Sequence, residues 1–143
     1  MKSYVAKDPG TNREWVLVDA RDKVLGKLAV CLADLLRGRN RPTFTRQVDT
    51  GGFVVVVNAA KVKLSGRKEE QKLYQRYSGW PDGLKRIPAS VMRKEHPDRM
   101  IRIAVKGMLP RNNMSRILLQ RLKVYAGETH PHAAQKPKPI AAA

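Results

Sequence analysis

Residues 15–57, WVLVDARDKVLGKLAVCLADLLRGRNRPTFTRQVDTGGFVVVV, decide the fold. They begin with WVLVDA, a short apolar run rich in β-branched residues, which predicts a strand. They end with FVVVV, which is apolar without alternation and therefore typical of a strand covered on both faces. Because a helical pattern separates the two runs, the order strand–helix–strand predicts a βαβ unit and a largely parallel sheet.

The predicted helix between these strands has one continuous apolar face. That face consists of Leu25, Leu28, Ala29, Leu32, Leu35 and Leu36. Asp22 is the predicted N-cap, and Gly38 is the predicted C-terminal stop. Cys31 lies at the border of the apolar face with no motif around it, so we interpret it as a small core residue. Residues 37–52 break all periodicity and are predicted to form a basic loop.

After residue 57 the sequence predicts short strands, loops and helices in one domain. Strands are predicted at 62–65, 72–77 and 122–126, a turn at 66–70, a loop at 79–85, and helices at 88–95, 98–108 and 114–121. After Gly127 the chain is poor in large apolar groups and is not expected to hold a fold alone. We therefore expect a single domain at 1–135, with residues 1–14 peripheral, and an extended tail at 136–143.

The chain is strongly basic, and its excess of positive charge grows toward the C-terminus. It contains 29 Lys and Arg against 12 Asp and Glu, a formal net charge of +17. Residues 1–40 carry eight basic and five acidic side chains, whereas residues 101–143 carry eight basic ones and only Glu128. Such a field attracts phosphate, so nucleic acid is the expected partner. A membrane surface is disfavoured because no lipidation motif or amphipathic terminal helix is visible.

Other classes of protein are disfavoured by what the sequence lacks. A single cysteine allows neither an intrachain disulfide nor a cysteine-rich zinc site, which fits a reducing cytosol. The N-terminus lacks the apolar run of a signal peptide, and no segment reaches the roughly 18–20 apolar residues of a membrane span. Gly26 stands alone where a dinucleotide fingerprint needs several glycines, so no nucleotide cofactor is expected.

The acids and histidines offer two candidate sites for chemistry, each with a simpler interpretation. Asp19 and Asp49 would form a catalytic pair if both lay at the carboxyl ends of parallel strands, where α/β enzymes place their sites. The simpler interpretation is that Asp19 ends its strand and Asp49 holds its own loop in place. His130 and His132 have no acid nearby beyond Glu128, too few ligands for a metal. Their imidazoles are expected to form hydrogen bonds or to stack on backbone or RNA.

The basic side chains form clusters on predicted loops and helix faces. The clusters are Arg37, Arg39, Arg41 and Arg46; Arg67 and Lys68; Arg76 to Arg86, including Lys85; and Lys106, Arg111, Arg116, Arg121 and Lys123. Arg99, Arg102 and Lys106 also fall on one side of a predicted helix, opposite Ile101 and Val105. Each charge alone is more simply a solvated surface residue, but the full set at +17 needs a counter-charge. No stacking platform, helix-turn-helix or zinc finger is visible, so the predicted mode is recognition of RNA shape and backbone.

Five stretches follow one another in the order and spacing of a known family. They are VDARDKVLGKLA (18–29), VDTGGFVVVVNAAKVKLSG (48–66), YQRYSGWPDGLK (74–85), AVKGMLPRNNMSR (104–116) and LKVYAGETHPHAAQ (122–135). On these motifs the chain resembles ribosomal protein L13 of the large subunit, in its bacterial form. Lys27 stands where the family usually has Arg, and Asn112 and Asn113 stand where it commonly has glycine. Because Asn tolerates the left-handed conformation, the turn after MLP is expected to survive.

The resemblance implies a three-layer α/β/α single domain around a mainly parallel sheet, with basic loops and an extended C-terminus. It implies a non-catalytic, cytoplasmic constituent of the large ribosomal subunit that binds rRNA during assembly, beside other large-subunit proteins and without a cofactor, membrane or small-molecule substrate. The alternatives are an RNA-processing or RNA-modifying enzyme and a free RNA-binding translational regulator. The expected RNA-binding residues are Arg37, Arg39, Arg41, Arg46, Arg67, Lys68, Arg76, Lys85, Lys106, Arg111, Arg116, Arg121, Lys123, His130 and His132.

Overall fold

A computed structural model describes residues 4–7, 10 and 12–141 of the chain. The elements in chain order are β1 (Trp15–Asp19), α1 (Leu25–Arg37), β2 (Phe53–Val57), a 3-10 helix (Ala59–Lys61), α2 (Lys68–Gln71), β3 (Leu73–Tyr77), β4 (Leu84–Pro88), α3 (Ala89–Glu95), α4 (Pro97–Met108), α5 (Asn113–Gln120), β5 (Leu122–Val124) and β6 (Lys138–Ile140). The peripheral segment 1–14 and the tail 136–143 lie partly outside the described residues, and the boundary at residue 135 stays a prediction.

The main sheet is parallel and has the strand order β5-β2-β1-β6. β1 and β2 pair in parallel from Trp15 opposite Phe53 to Asp19 opposite Val57, with α1 as the connection between them. The predicted βαβ unit and the mainly parallel sheet of a single α/β domain are therefore confirmed. β3 and β4 form a separate antiparallel hairpin.

Alternation along the strands gives the main sheet two different faces. One face packs into a continuous core with the apolar sides of α1, α4 and α5, and its members are Val16, Val18, Val54, Val56, Leu122 and Val124. The other face carries Trp15, Phe53 and Val55, and Val55 is completely buried. His132, from the segment between β5 and β6, lies against Trp15 with ring centroids 5.0 Å apart. Helices thus pack on the first face, and His132 lies on the second.

Two glycines, Gly38 and Gly51, allow the basic loop of residues 39–52 to pack closely against the end of α1. Gly38 ends the helix in the left-handed conformation with φ of 72°, as predicted. A Cβ on Gly51 would stand 1.7 Å from the carbonyl oxygen of Leu36, a separation that no side chain can adopt. The close approach of these two backbones fixes the path of the chain into β2.

Several predictions of local structure are wrong. Asp22 does not cap α1: the helix begins after Val24 without a side-chain cap, and the Asp22 carboxylate lies 2.8 Å from Lys63 Nζ. Residues 62–65 make only an isolated bridge between Val24 and Lys63 rather than a strand. The predicted turn at 66–70 contains the start of helix α2.

Two strands were not predicted at all. β4 occupies residues assigned to a loop and to the start of a helix, because LKRIP gains its extended form from pairing with β3 rather than from its own pattern. β6 is a three-residue strand whose Lys138–Ile140 pair in parallel with Val16–Val18. Short strands with few apolar residues depend on distant partners, which periodicity does not reveal.

Candidate nucleic-acid interface

Asp49 sits between two arginines in a largely buried cluster before β2. Arg13 Nη1 lies 3.3 Å from Asp49 Oδ1 and donates to the Gly51 carbonyl oxygen at 2.8 Å. Arg121 Nη1 donates to Asp49 Oδ1 at 2.8 Å, and its second nitrogen reaches Asp49 Oδ2. The side chains of Arg13, Asp49 and Arg121 are only 6%, 15% and 12% exposed. We call this cluster, together with the pair Arg41–Glu14, the Asp49 edge.

Arg41 extends the Asp49 edge toward solvent. Its Nη2 donates to Glu14 Oε2 at 2.8 Å, and its Nη1 donates to the Thr50 carbonyl oxygen at 3.2 Å. Removing one partner of a buried ion pair typically costs about 3–5 kcal/mol, because the other charge is left desolvated. Arg13 and Arg121 therefore stabilise the fold, whereas the more exposed pair of Arg41 with Glu14 contributes less. Arg121 and Arg41 are thus predicted RNA-binding residues that already bind acids within the protein.

The rest of the basic loop is partly engaged within the protein. Arg39 lies 3.9 Å from Asp34, both in exposed positions. The Arg37 guanidinium stacks over the ring of Phe44 at 5.7 Å. Arg46 is exposed, and no ion pair involves it within the described part of the chain. Of this cluster, Arg46 is the cation that stays most available to a ligand.

The acids do not form a catalytic pair. Asp19 is the last residue of β1, whereas Asp49 precedes the parallel strand β2, so the two lie at opposite ends of the sheet. Asp19 Oδ1 accepts hydrogen bonds at 2.9 Å from the Arg21 N–H and from Asn58 Nδ2. These bonds, the Arg21 backbone one first, hold the pKa of Asp19 below its ordinary value. Both acids match the simpler interpretation: Asp19 ends its strand, and Asp49 holds its loop.

The two histidines belong to an aromatic cluster on the second face of the sheet. His132 Nε2 and Tyr125 Oη are 2.8 Å apart, and His130 Nδ1 accepts from the His132 N–H at 3.2 Å. Trp15 also stacks on Phe53 at 4.3 Å. The imidazoles therefore attach the C-terminal segment to the sheet, which is the hydrogen-bonding and stacking role expected of them.

A cationic cleft opens at the start of α5. Lys106, Arg111 and Arg116 line it with Asn112 and Ser115, and its volume is about 540 Å³. Asn112 caps the helix, since its Oδ1 accepts from the Ser115 N–H at 3.1 Å and its φ is −139°. The turn after MLP thus survives through helix capping rather than through a left-handed Asn. Among the described residues, the cleft's three cations make no ion pair and no acid lines the cleft. We call it the α5 cleft.

A helix N-terminus adds to the positive field of the α5 cleft. The unpaired N–H groups and the macrodipole of a helix carry about half a positive charge at that end. The first turn of α5 contains no acidic residue to offset it. Three exposed cations around such an end form a site suited to phosphate.

The remaining predicted residues are dispersed. Arg76 and Lys85 are exposed on the β3–β4 hairpin, and Arg67 is exposed before α2. Lys68 Nζ donates to Ser65 Oγ at 2.9 Å, and Lys123 is half-buried within β5. The predictions leave out Arg99 and Arg102 of α4, which line one cleft together with Arg76 and Lys85. The spacing of Arg99 and Arg102, which places them on one side of a helix, is the sequence feature that could have identified them.

The described residues provide neither a cluster of metal ligands nor a membrane-spanning helix. No cluster of three or more His, Cys, Asp or Glu has the arrangement needed to hold a metal ion there. None of the helices in that part of the chain is both long and apolar enough to cross a bilayer.

The fold and the unpaired cations define a small basic α/β protein with a phosphate-suited surface. The model of the family "Ribosomal protein L13" matches residues 13–131, and the chain belongs to this family. It is 55% identical over 139 residues to the large ribosomal subunit protein uL13 of Chloroflexus aggregans, covering 97% of each chain. It is 54% identical over 140 residues to that of Thermus thermophilus, covering 98% of this chain and 99% of the relative.

Proposed function

We propose that the protein is a structural, non-catalytic constituent of the large ribosomal subunit that binds and helps to organise large-subunit rRNA. Its place is then the cytoplasm, within the ribosome, beside neighbouring large-subunit proteins. Membership of the L13 family and the names of relatives that match over nearly their full length support this role. The opposite positions of Asp19 and Asp49 argue against the enzyme alternative.

The observation that carries the proposal is the α5 cleft. Lys106, Arg111 and Arg116 are exposed cations without acidic partners, beside the positive end of a helix. Unpaired charges repel one another in the free protein, and phosphate groups relieve that repulsion when they bind. Cations that bind phosphates release counterions from RNA, so binding of this kind weakens steeply with salt.

The proposed contact surface is narrower than the set of residues expected from sequence. It contains those of the predicted residues that are exposed and make no ion pair or side-chain hydrogen bond within the described chain, namely Arg46, Arg67, Arg76, Lys85, Lys106, Arg111 and Arg116. Arg41 and Arg121 are assigned to the fold, since their guanidinium groups already hold Glu14 and Asp49. His130 and His132 are assigned to the anchoring of the C-terminal segment.

Sedimentation of a gentle cell lysate in a sucrose gradient tests the proposed function. The protein is expected to travel with large subunits and whole ribosomes at mild salt, and to leave them as salt is raised. A pool that stays mainly at the top of the gradient at mild salt contradicts the proposal. That outcome favours the free translational regulator instead, and RNA recovered from the upper fractions would then identify a messenger.

A further inference from the structure

Four cations outside the α5 cleft converge on a second cleft between the β3–β4 hairpin and α4. Arg76 and Lys85 come from the hairpin, and Arg99 and Arg102 come from the helix. The cleft has a volume of about 590 Å³, and we call it the hairpin cleft. Within the described chain, none of these four side chains takes part in an ion pair, and the cleft has no acidic lining residue.

The four cations are arranged as two repelling pairs. Arg76 stands directly opposite Lys85 in the antiparallel register of β3 and β4, where like charges destabilise a hairpin. Arg99 and Arg102 are three residues apart on α4, where neighbouring like charges also destabilise a helix. A hairpin and a helix that both direct repelling pairs into one cleft indicate that an anion occupies it.

The inner side of the cleft is apolar and strengthens the field of the cations. Tyr74 and Ile87 of the hairpin and Met92 of α3 pack against the core of the domain. Low-dielectric walls beside like charges focus the electrostatic potential toward the opening. The buried Tyr74 hydroxyl has its pKa raised by burial, so it stays neutral and does not offset the positive charge.

The two clefts are joined along α4. Arg99, Arg102 and Lys106 follow one another at intervals of three and four residues, on one exposed side of the helix. At 1.5 Å per residue the distance from Arg99 to Lys106 along the helix axis is about 10 Å. Lys106 belongs to the α5 cleft, so the stripe on α4 leads from one cleft directly to the other.

We propose that the hairpin cleft is a second binding site for the sugar-phosphate backbone of RNA, which extends the contact of the α5 cleft along α4. This inference rests on the proposed function and names a further part of its surface. The open cleft offers the forked guanidinium groups of its arginines and the ammonium group of Lys85, and no acid lines it. Such a set of donors suits a run of phosphates. An acidic polypeptide is the competing occupant, and the experiment separates the two.

Salt-dependent binding to deproteinised large-subunit rRNA tests the proposal with two variants of the hairpin cleft. Arg76→Gln/Lys85→Gln and Arg99→Gln/Arg102→Gln each remove two cations from it. The matched control, Lys61→Gln/Lys63→Gln, removes two exposed cations that already pair with Glu128 and Asp22. Each cleft variant is expected to lower the slope of log affinity against log salt by about 2, at about 1 per lost phosphate contact, while the control stays near wild type.

The outcomes separate this proposal from the proposed function. If the wild type binds rRNA but the cleft variants match the control, the hairpin cleft is not a binding site and the function stands. If the wild type shows no salt-dependent rRNA binding, the proposed function itself fails. Binding to poly-glutamate is measured with the same variants. If the cleft variants lose poly-glutamate binding but keep the wild-type salt slope with rRNA, the cleft binds an acidic polypeptide and the proposal is overturned.

A second measurement uses the wild-type chain and does not depend on how variants fold. An amine-reactive acetylating reagent is applied to the protein free and bound to rRNA, and the modified lysines are found by mass spectrometry. Lys85 is expected to lose most of its reactivity in the complex, as Lys106 of the α5 cleft does, whereas Lys61 keeps its own. Lys85 that stays as reactive as Lys61 contradicts the proposal.

Discussion

Arg116 and Arg121 are five residues apart in the sequence, yet their surroundings in the structure differ. Arg121 is 12% exposed and donates from both terminal guanidinium nitrogens to Asp49. Arg116 lines the open α5 cleft and has no acidic partner among the described residues. The cations of the Asp49 edge hold two segments of the fold together, whereas those of the α5 cleft have no acidic partner in the described part of the chain.

The difference between these two regions teaches that net charge does not measure a binding surface. Some of the 29 basic side chains are already paired with acids inside the chain, as at Arg13, Arg41 and Arg121. What counts for a polyanion is the set of cations that are exposed and unpaired, such as those that line the α5 cleft and the hairpin cleft.

The largest effect is expected from Asp49→Asn. This change removes the carboxylate with which the largely buried guanidinium groups of Arg13 and Arg121 both pair. The free energy of unfolding, measured by urea denaturation, should fall by about 3–5 kcal/mol. Asp34→Asn is the control, because its pair with Arg39 spans 3.9 Å at the surface and should contribute about 0–1 kcal/mol. Equal losses in the two variants would show that the Asp49 edge is not a buried network.

A smaller loss of stability is expected from Arg121→Gln. Asp49 keeps Arg13 as a partner in this variant, so the cost should be that of lost hydrogen bonds to a charged group, about 1.5–3 kcal/mol. Arg116→Gln is the matched change and should alter the free energy of unfolding by no more than about 0.5 kcal/mol. If Arg116→Gln destabilises as much as Arg121→Gln, the α5 cleft also has a role in the fold.

The double change Arg111→Gln/Arg116→Gln should weaken rRNA binding without loss of stability. Two phosphate contacts are lost, so the salt slope should fall by about 2 and the affinity at low salt by roughly tenfold or more. Filter binding at several salt concentrations measures both quantities. Unchanged affinity and slope would remove the loop after MLP from the interface.

The smallest effect concerns Asp19 and depends on pH. Hydrogen bonds from the Arg21 N–H and Asn58 lower the pKa of Asp19 below its ordinary value of 3.8. A lowered pKa stabilises the folded state at pH values above the ordinary one, and this stabilisation is lost as the pH falls through the lowered pKa. Asp19→Asn should therefore cost about 1 kcal/mol or less at pH 7, with a difference that narrows toward pH 3. A difference that is constant from pH 7 to pH 3 would contradict this account.

Local periodicity was sufficient for the elements that bury one continuous apolar face. The face from Leu25 to Leu36 predicts α1, and FVVVV predicts a buried strand, because both patterns lie within a single segment. β4 and β6 escaped prediction because each depends on a distant partner strand. Asp is a residue type that often caps helices, but the Asp22 carboxylate instead forms an ion pair with Lys63, a residue far along the chain.

The sequence predicts which cationic residues belong to the candidate site, but it does not predict which of them form ion pairs within the protein. Lys106, Arg111 and Arg116 are clustered in the sequence, and the structure keeps them together in the α5 cleft. Nothing in the local sequence distinguishes Arg121 from Arg116, since Asp49 lies 72 residues from Arg121 and reaches it only through the sheet. Ion pairs between distant segments form only in the folded protein. A count of basic residues in the sequence therefore overestimates the number of cations that are available to a ligand.

The most direct test of this division compares rRNA binding of the wild type, Arg116→Gln and Arg121→Gln under conditions where all three are folded. Both variants lose one positive charge, so net charge alone predicts the same change in each. We expect the slope of log affinity against log salt to fall by about 1 for Arg116→Gln and to stay at the wild-type value for Arg121→Gln. Equal slopes in the two variants, or a fall only for Arg121→Gln, would contradict the claim that unpaired cations form the RNA-binding surface.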